Sequence, residues 1–146
     1  MSSAVEQLAD ELSQLFTLLV RTDSALADET AMTTTQRLAL GELARSGPLR
    51  LGALAERIGV TDPTATRVAD ALVAAGLAER QPDSEDRRAV RLAATAAGRK
   101  RVERRKRETA AALSEALTRL PAEERERLTA LLRNLNEALR PAPKNL

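Results

Sequence analysis

Apolar residues recur every three or four positions along most of the chain, which is the spacing of amphipathic α-helices. Long stretches of this kind cover residues 4–29, run from Thr95 to about Arg119, and begin again at Pro121. Shorter stretches with the same spacing lie between the first and the second of these. We therefore predict a mainly α-helical fold.

Two threonines stand where a side chain can cap the start of a helix. Thr33 and Gln36 have the spacing of a capping box, in which each side chain accepts a hydrogen bond from the other residue's backbone N–H. The helix that follows is predicted to end at Ser46-Gly47-Pro48, where glycine and proline interrupt it. Thr95 is placed to cap the second long helix.

Residues 51–76 have the spacing of a helix-turn-helix. In the first half of this segment the apolar positions share one helical face, Gly59 allows the chain to turn, and Val60 fills the gap between the two helices. The second helix is predicted to open with Asp62 as its N-cap and Pro63 in its first helical position, because a residue before proline avoids the α conformation.

The exposed side of this second helix has an unusual composition. Its predicted buried face consists of Ala65, Val68, Ala69, Leu72 and Val73. At about 100° per residue, Arg67 points almost directly away from that face, with Thr64 and Thr66 on either side. The exposed start of the helix therefore carries hydroxyls and one arginine instead of the usual mixture of glutamate and lysine.

A β-hairpin is predicted directly after the helix-turn-helix. Residues 77–80 and 89–92 have the composition of short strands, and residues 82–88 between them are polar and rich in turn formers. A hairpin in this position is a wing, which we place at residues 77–94.

The composition excludes several classes of function. The chain contains no cysteine and no histidine, so it has no thiol for a disulfide or a redox switch and lacks the usual ligands of zinc and transition metals. It also lacks the commonest general acid–base group, and no Walker A, GxGxxG or GxSxG motif is present. We therefore expect no enzyme activity, no cofactor and no metal.

Length and hydropathy set the broad class of the protein. A chain of 146 residues is long enough for one compact core but short for a second domain. No basic start followed by an apolar segment marks the N-terminus, and no apolar run approaches the length of a membrane span. We expect a cytoplasmic protein without a membrane partner.

Charge is distributed unevenly along the chain. Residues 1–34, 35–94 and 95–146 carry net charges of −5, +1 and +6. Seven bases lie between Arg99 and Arg107 against a single acid. This asymmetry indicates that the basic segment meets a polyanion such as DNA, that it meets the acidic first helix of either subunit, or both.

In this order and spacing the elements resemble the MarR family (multiple antibiotic resistance regulators) of bacterial transcription factors, and the similarity covers nearly the whole chain. The segments that carry it are Thr33-x-x-Gln36, Gly47-Pro-Leu-Arg-Leu-Gly-x-Leu-Ala55, Asp62-Pro-Thr-Ala-Thr-Arg67, Gly76-Leu-Ala-Glu-Arg80, Asp86-Arg-Arg88 and Thr95-x-x-Gly98. Any one of them is weak evidence, but together, correctly ordered and spaced, they are strong.

The resemblance implies a single winged helix-turn-helix domain over residues 1–146, mainly α with a small two- or three-stranded β-wing. Within it, residues 33–94 form the winged part, and residues 1–31 and 95–146 form dimerisation helices. The resemblance also implies a homodimer on a pseudo-palindromic operator in double-stranded DNA. A repressor is expected, because most of the family act by occluding promoters.

The resemblance places the second helix of the motif in the major groove of DNA. The residues expected to meet DNA there are Asp62, Pro63, Thr64, Thr66 and Arg67. Arg67 is the candidate for reading a base, because an arginine can bind O6 and N7 of guanine with two hydrogen bonds. The alternative is a surface arginine that pairs with Asp70 or Asp62 on its own helix.

Three wing residues match the family's wing motif, namely Asp86, Arg87 and Arg88. The arginines are expected in a narrow minor groove, which concentrates negative potential, while Asp86 orients an arginine or shapes the turn. A solvated charged loop is the alternative. Arg50, just before the first helix of the motif, is a further candidate for a phosphate contact.

Many members of the family bind small aromatic acids or other lipophilic molecules between their dimerisation and DNA-binding regions. A small lipophilic or aromatic effector is therefore an open partner, with Phe16, Leu19, Arg21 and Arg37 as pocket candidates. Core packing is the alternative for the apolar ones. Sensing through cysteine or through zinc-binding histidines is excluded by composition.

Two other functions stay open besides the regulator. One is a winged domain that binds a protein instead of DNA, and the other is an architectural protein that binds DNA without sequence preference. A protein-docking face should carry aromatic or large apolar anchors, which the surface around Thr64 and Arg67 lacks.

Overall fold

A computed structural model describes residues 3–25 and 32–140 of the chain. The predicted end of the first helix at residue 29 therefore lies outside the described residues. In chain order the elements are α1 (Ser3–Ala25), α2 (Thr34–Ser46), β1 (Leu49–Arg50), α3 (Leu51–Ile58), α4 (Asp62–Ala74), β2 (Ala78–Pro82), β3 (Val90–Ala94), α5 (Ala96–Thr118) and α6 (Ala122–Ala138). The prediction of a mainly α fold with a small β-wing is confirmed.

The three strands form one antiparallel sheet in the order β1-β3-β2. Strand β3 is central, with Leu92 opposite Leu49 of β1 and opposite Arg80 of β2. Both strands of the hairpin begin one residue later than predicted. Before β2 the N–H of Leu77 still closes the turn after α4 by donating to the carbonyl of Leu72 (2.9 Å), and before β3 the N–H of Ala89 donates to the carbonyl of Asp86 within the tip (3.0 Å).

Both threonine caps are confirmed. The Thr33 hydroxyl accepts from the N–H of Gln36 (3.2 Å), and the Gln36 side chain accepts from the N–H of Thr33 (3.0 Å), which completes the capping box. The Thr95 hydroxyl accepts from the N–H of Gly98 and donates to the carbonyl of Gly76 (2.7 Å). Thr95 therefore fixes the start of α5 to the turn that follows α4.

The start of α4 differs from the prediction by one residue. Thr61 is the N-cap, because its backbone is extended and its carbonyl accepts from the N–H of Ala65 (2.9 Å). The prediction of Asp62 as the N-cap is wrong, and Asp62 is already helical. Pro63 is tolerated one position further in, since the first four N–H groups of a helix have no acceptor within the helix.

The apolar core lies between α2, α3, α4 and the inner face of the sheet. Its largest fully buried side chains are Leu40, Leu43, Leu54, Leu72 and Leu92. The helix-turn-helix turns at Gly59, whose φ of 70° lies in the left-handed region that glycine adopts without strain. The core thus holds α4 with one face buried and its opposite face in solvent.

Candidate nucleic-acid interface

The first two turns of α4 present a polar face that the core does not use. Ala65, Val68, Ala69 and Leu72 are buried beneath it, as the apolar spacing predicts. Thr66 and Arg67 are exposed, and Thr64 is half-buried. The Thr66 hydroxyl donates to the carbonyl of Asp62 (3.1 Å), and the hydroxyls of Thr61 and Thr64 lie 3.0 Å apart.

Arg67 is not held by an acid on its own helix. Within the described part of the chain its guanidinium makes no hydrogen bond or ion pair. Asp70, one turn further on, is instead bound by Arg80 of β2. The alternative in which Arg67 pairs with Asp70 or Asp62 is therefore not what the structure shows, and the five predicted residues of α4 share one exposed end of the helix.

The tip of the hairpin is a tight turn organised by Asp86. Its carboxylate accepts from the N–H of Arg88 (2.9 Å), and its carbonyl accepts from the N–H of Ala89 (3.0 Å). Asp86 therefore shapes the turn. Arg87 and Arg88 are exposed, and among the residues that the structure describes neither guanidinium has a partner.

Arg50 lies at the foot of the wing and contacts Asp83, a residue that the sequence analysis did not single out. The side chain of Arg50 is 45% exposed, whereas that of Asp83 is fully buried. The hydrogen bond from Arg50 is the main cause that holds the pKa of Asp83 well below its usual range. In sequence Asp83 is one of several polar turn formers, and no local pattern marks it as buried.

Five of the basic residues of α5 line an open groove of about 770 Å³, namely Arg99, Lys100, Arg101, Arg104 and Arg107, and Leu77, Ala96 and Ala97 also line it. The Arg99 guanidinium donates to the carbonyl of Ala94 at the end of β3 (2.7 Å). Glu108 lies 3.7 Å from Arg104 and 3.8 Å from Arg105. These contacts favour neither DNA nor an acidic helix as the partner of the cluster, so both interpretations stay predictions.

The four candidates for an effector pocket are divided between two helices. Phe16 of α1 is 68% exposed, Arg21 is exposed and Leu19 is half-buried. Arg37 of α2 donates to the carbonyl of Met32 (2.6 Å) and to the hydroxyl of Thr34 (3.1 Å). Phe16 is thus not part of the core of its own protomer, and the pocket stays a prediction.

No group of three carboxylates in residues 3–25 and 32–140 is arranged to hold a metal ion. No helix in the same ranges combines the length and the apolar character needed to cross a membrane.

A helix-turn-helix whose second helix exposes a polar face and is followed by a β-hairpin defines a winged helix-turn-helix protein. Residues 32–90 match the family model of the MarR family. Over these residues, which cover most of the winged part, the chain is similar to the MarR family. The comparison with curated proteins gave no match.

Solved structures of similar fold cover nearly the whole chain. A MarR family protein from Bacillus stearothermophilus has 23% identity over 95% of this chain and 98% of its own, with a TM-score of 0.81. NadR in complex with 4-hydroxyphenylacetate has 27% identity over 92% and 93%, with a TM-score of 0.67. FabT from Streptococcus pneumoniae in complex with DNA has 20% identity over 92% and 96%, with a TM-score of 0.70.

Proposed function

We propose that this protein is a homodimeric repressor that recognises a specific sequence in double-stranded DNA, and that it is not an enzyme. The observation that carries the proposal is the exposed face of α4, where Arg67 has no partner among the described residues and two hydroxyls lie beside it. A guanidinium left in water on a hydroxyl-rich helix start is suited to base edges and phosphates rather than to a protein core.

In this proposal the start of α4 enters the major groove. Arg67 binds O6 and N7 of a guanine, and a correct pair of this kind contributes about 1–3 kcal/mol of discrimination. Thr64 and Thr66 contact thymine methyl groups or phosphates. Asp62 and Pro63 lie at the N-terminus of the helix, where free N–H groups and the helix dipole favour a nearby phosphate.

The wing extends the contact to the neighbouring minor groove. Arg87 and Arg88 lie at the tip, and an A·T-rich minor groove attracts inserted arginines because its narrow shape concentrates negative potential. Arg50 is 45% exposed, so it can reach a phosphate from the foot of the wing. We assign Arg50 the smaller contribution, since Asp83 already compensates its charge.

Apolar side chains in the flanking helices support the homodimer. Large apolar residues exposed on α1 and α6 are Val5, Leu8, Leu15, Phe16, Leu18, Val20, Leu128, Leu131 and Leu132. Large apolar side chains left exposed in this number indicate an interaction site. We propose that residues 1–31 and 95–146 cover it with a second copy, while residues 33–94 bind DNA. The two α4 helices of such a dimer reach half-sites about 34–36 Å apart.

We extend the proposal to a small aromatic or lipophilic effector, because NadR was solved with 4-hydroxyphenylacetate. The effector binds between the dimerisation helices and the winged part, near Phe16, Leu19, Arg21 and Arg37. It releases DNA by favouring a dimer whose α4 helices no longer match the half-site spacing. Titration of small aromatic acids into the DNA complex tests this step, and unchanged affinity throughout the series contradicts it.

The DNA-binding proposal is tested by fluorescence anisotropy. The dimer is titrated with DNA selected from a random library and with a scrambled version, each at two salt concentrations. Tight binding that prefers the selected sequence and weakens steeply with salt is expected. Equal binding to both sequences favours an architectural protein. Failure to enrich any sequence or to bind either DNA contradicts the proposal and favours a protein partner for the winged part.

A further inference from the structure

A buried carboxylate lies at the junction between the wing tip and the rest of the molecule. Asp83 directly follows the last residue of β2. Among the described residues, it is the one charged residue that is buried. Its side chain has no exposure to solvent, although its neighbours Ser84, Glu85 and Asp86 are all exposed. A turn residue that is buried beside exposed neighbours is held in place by specific contacts.

Those contacts come from three separate parts of the chain. One carboxylate oxygen of Asp83 accepts from Nε of Arg50, which belongs to β1. The other accepts from the backbone N–H of Glu85 (2.9 Å) and lies 3.3 Å from Nη2 of Arg91 in β3. The backbone N–H of Asp83 donates to the carbonyl of Ala89 on the far side of the tip (3.1 Å).

The arrangement explains how a charge can be buried here. A carboxylate removed from water is costly unless it is paired and hydrogen-bonded, and Asp83 has two guanidinium partners and one backbone amide. The same contacts lower the pKa of Asp83, with the hydrogen bond from Arg50 as the first cause and the bond from Glu85 as the second. The carboxylate is therefore anionic at neutral pH, and breaking its contacts would leave a buried charge without partners.

The partners of Asp83 connect the wing to the helix-turn-helix. Arg50 is the residue immediately before α3 and is its N-cap, so the bond to Asp83 joins the wing tip to the start of the motif. Arg91 adds the returning strand. Arg87 and Arg88 are four and five residues from Asp83 along the tip. A change in the direction in which the chain leaves Asp83 would therefore move both arginines.

We propose that Asp83 is a positioning residue for DNA binding, which holds the wing through Arg50 and Arg91 at the angle that lets Arg87 and Arg88 reach the DNA already bound by α4. The inference rests on the proposed function. The proposed role differs from a purely stabilising one, because Asp83 affects DNA binding through Arg87 and Arg88, which it does not contact.

The test compares two variants of equal charge. Asp83→Asn removes the charge but keeps the shape, and Glu85→Gln removes the charge of an exposed neighbour whose side chain lies outside the ion group. Both raise the net charge by one, so both should attract DNA slightly more through long-range electrostatics. We expect Asp83→Asn to weaken operator binding about tenfold, while Glu85→Gln binds as tightly as the parent protein or slightly more tightly.

A double-mutant cycle separates positioning from stability. In an Arg87→Ala/Arg88→Ala background the wing has no arginine left to place, so Asp83→Asn should cause no further loss of affinity. An equal loss in both backgrounds, or equal affinities of Asp83→Asn and Glu85→Gln, overturns the inference. Circular dichroism and thermal unfolding show that each variant is folded.

A second variant and a measurement without DNA keep the test decisive should Asp83→Asn not fold. Arg50→Lys keeps a positive charge for a phosphate but loses the guanidinium bond to Asp83, and it should weaken binding only when Arg87 and Arg88 are present. Hydrogen exchange at the amides of Asp83 and Glu85, whose N–H groups bond to Ala89 and to Asp83, should be faster in Arg50→Lys than in the parent. Unchanged exchange overturns the inference alone, whereas absence of sequence-preferring DNA binding by the parent overturns the proposed function and this inference with it.

Discussion

The winged part and the flanking helices use apolar residues in opposite ways. Among the described residues, the largest fully buried side chains all lie in residues 40–92, between α2 and β3. Along α6 no residue is buried, although it carries three exposed leucines. Among the described side chains of α1 none is buried either, and Phe16 is 68% exposed. One region therefore buries most of its large apolar residues internally, and the other exposes most of them.

This difference indicates how the two regions divide the work. A domain with a complete core can keep its polar surface for a ligand, which is how α4 presents Arg67. Helices that expose large apolar residues are stabilised when another protein surface covers them. Each Å² of apolar surface removed from water contributes about 25 cal/mol to stability. Variants that alter one region and spare the other test whether the division is real.

The largest effect is expected from Leu131→Asp in α6, where the parent side chain is 57% exposed. A charge in the proposed dimer interface should separate the protomers, and a monomer that contacts one half-site loses about 10²-fold or more in operator affinity. Sedimentation velocity measures the oligomeric state, and anisotropy measures the affinity. Leu131 is not part of the buried core of the winged part, so far-UV circular dichroism of the variant should still show the helical signal of the winged part.

Ala130→Asp is the matched control for this experiment. It adds the same charge to the same helix but about 100° further round, outside the stripe of leucines. It should remain dimeric and bind DNA normally. A parent protein that sediments as a monomer, or a dimer that survives Leu131→Asp unchanged, means that the exposed leucines are not the dimer interface.

The second largest effect is expected in the winged part, from Arg67→Ala. The variant should lose about 1–3 kcal/mol of preference for the selected sequence, because the bidentate contact to guanine is gone. Non-specific affinity should fall only slightly, since most phosphate contacts remain. Competition binding with selected and scrambled DNA measures both. Arg119→Ala, which removes an arginine paired with Glu115 at the end of α5, should leave the preference intact; a similar loss there would remove the case for Arg67.

Features of the fold that depend on local chemistry were predictable from the sequence. The capping box of Thr33 and Gln36 and the cap at Thr95 follow from residues three positions apart. The buried face of α4 follows from its helical period. The N-cap of α4 was misplaced at Asp62 because the proline rule identifies a boundary only to within a residue, and the carbonyl that accepts the first bond belongs to Thr61.

Features of the site that depend on distant pairs were not predictable. Asp83 is buried because Arg50, 33 residues earlier, supplies a partner, and no neighbour in sequence announces this. The freedom of Arg67 depends in the same way on Arg80, which binds Asp70 from another element. Periodicity shows which side of a helix is exposed, but only the tertiary structure shows which charges on that side are already paired.

We expect the contact between α5 and the winged part to leave no room for a side chain at Gly98. A Cβ at this position in α5 would lie 2.1 Å from the backbone oxygen of Leu77, far inside van der Waals contact. Gly98→Ala should therefore lower the free energy of unfolding by about 1–3 kcal/mol. Urea denaturation measures the change. A Cβ at Gly41 in α2 would meet nothing within 4 Å, so Gly41→Ala should be neutral or stabilising by about 0.5–1 kcal/mol. Equal changes in the free energy of unfolding for both variants would argue against close packing at Gly98.

A smaller effect is expected from pH, and it should arise in the winged part. Burial raises the pKa of Glu42, but hydrogen bonds from Arg57 and Ser46 and the charges of Arg45 and Arg57 outweigh burial and lower it overall. A lowered pKa means that the stabilisation is complete above the unfolded value of about 4 and is lost as the pH falls further. Glu42→Gln should therefore be less stable than the parent at pH 7 and lose less stability between pH 5 and pH 3. Urea denaturation at each pH checks this, and equal pH profiles of Glu42→Gln and the parent would contradict it.

The smallest effect is expected from Arg80→Gln, which releases Asp70 from its partner in β2. Asp70 lies three residues after Arg67 on α4, so the two can then pair, and such exposed helix pairs contribute about 0.2–0.5 kcal/mol. The pairing draws Arg67 away from the DNA, and discrimination between selected and scrambled DNA should fall about twofold. Adding Asp70→Asn removes the competing acid and should restore the discrimination between selected and scrambled DNA. If discrimination stays low in the double variant, Arg80 contributes to DNA binding directly and not by keeping Asp70 away from Arg67.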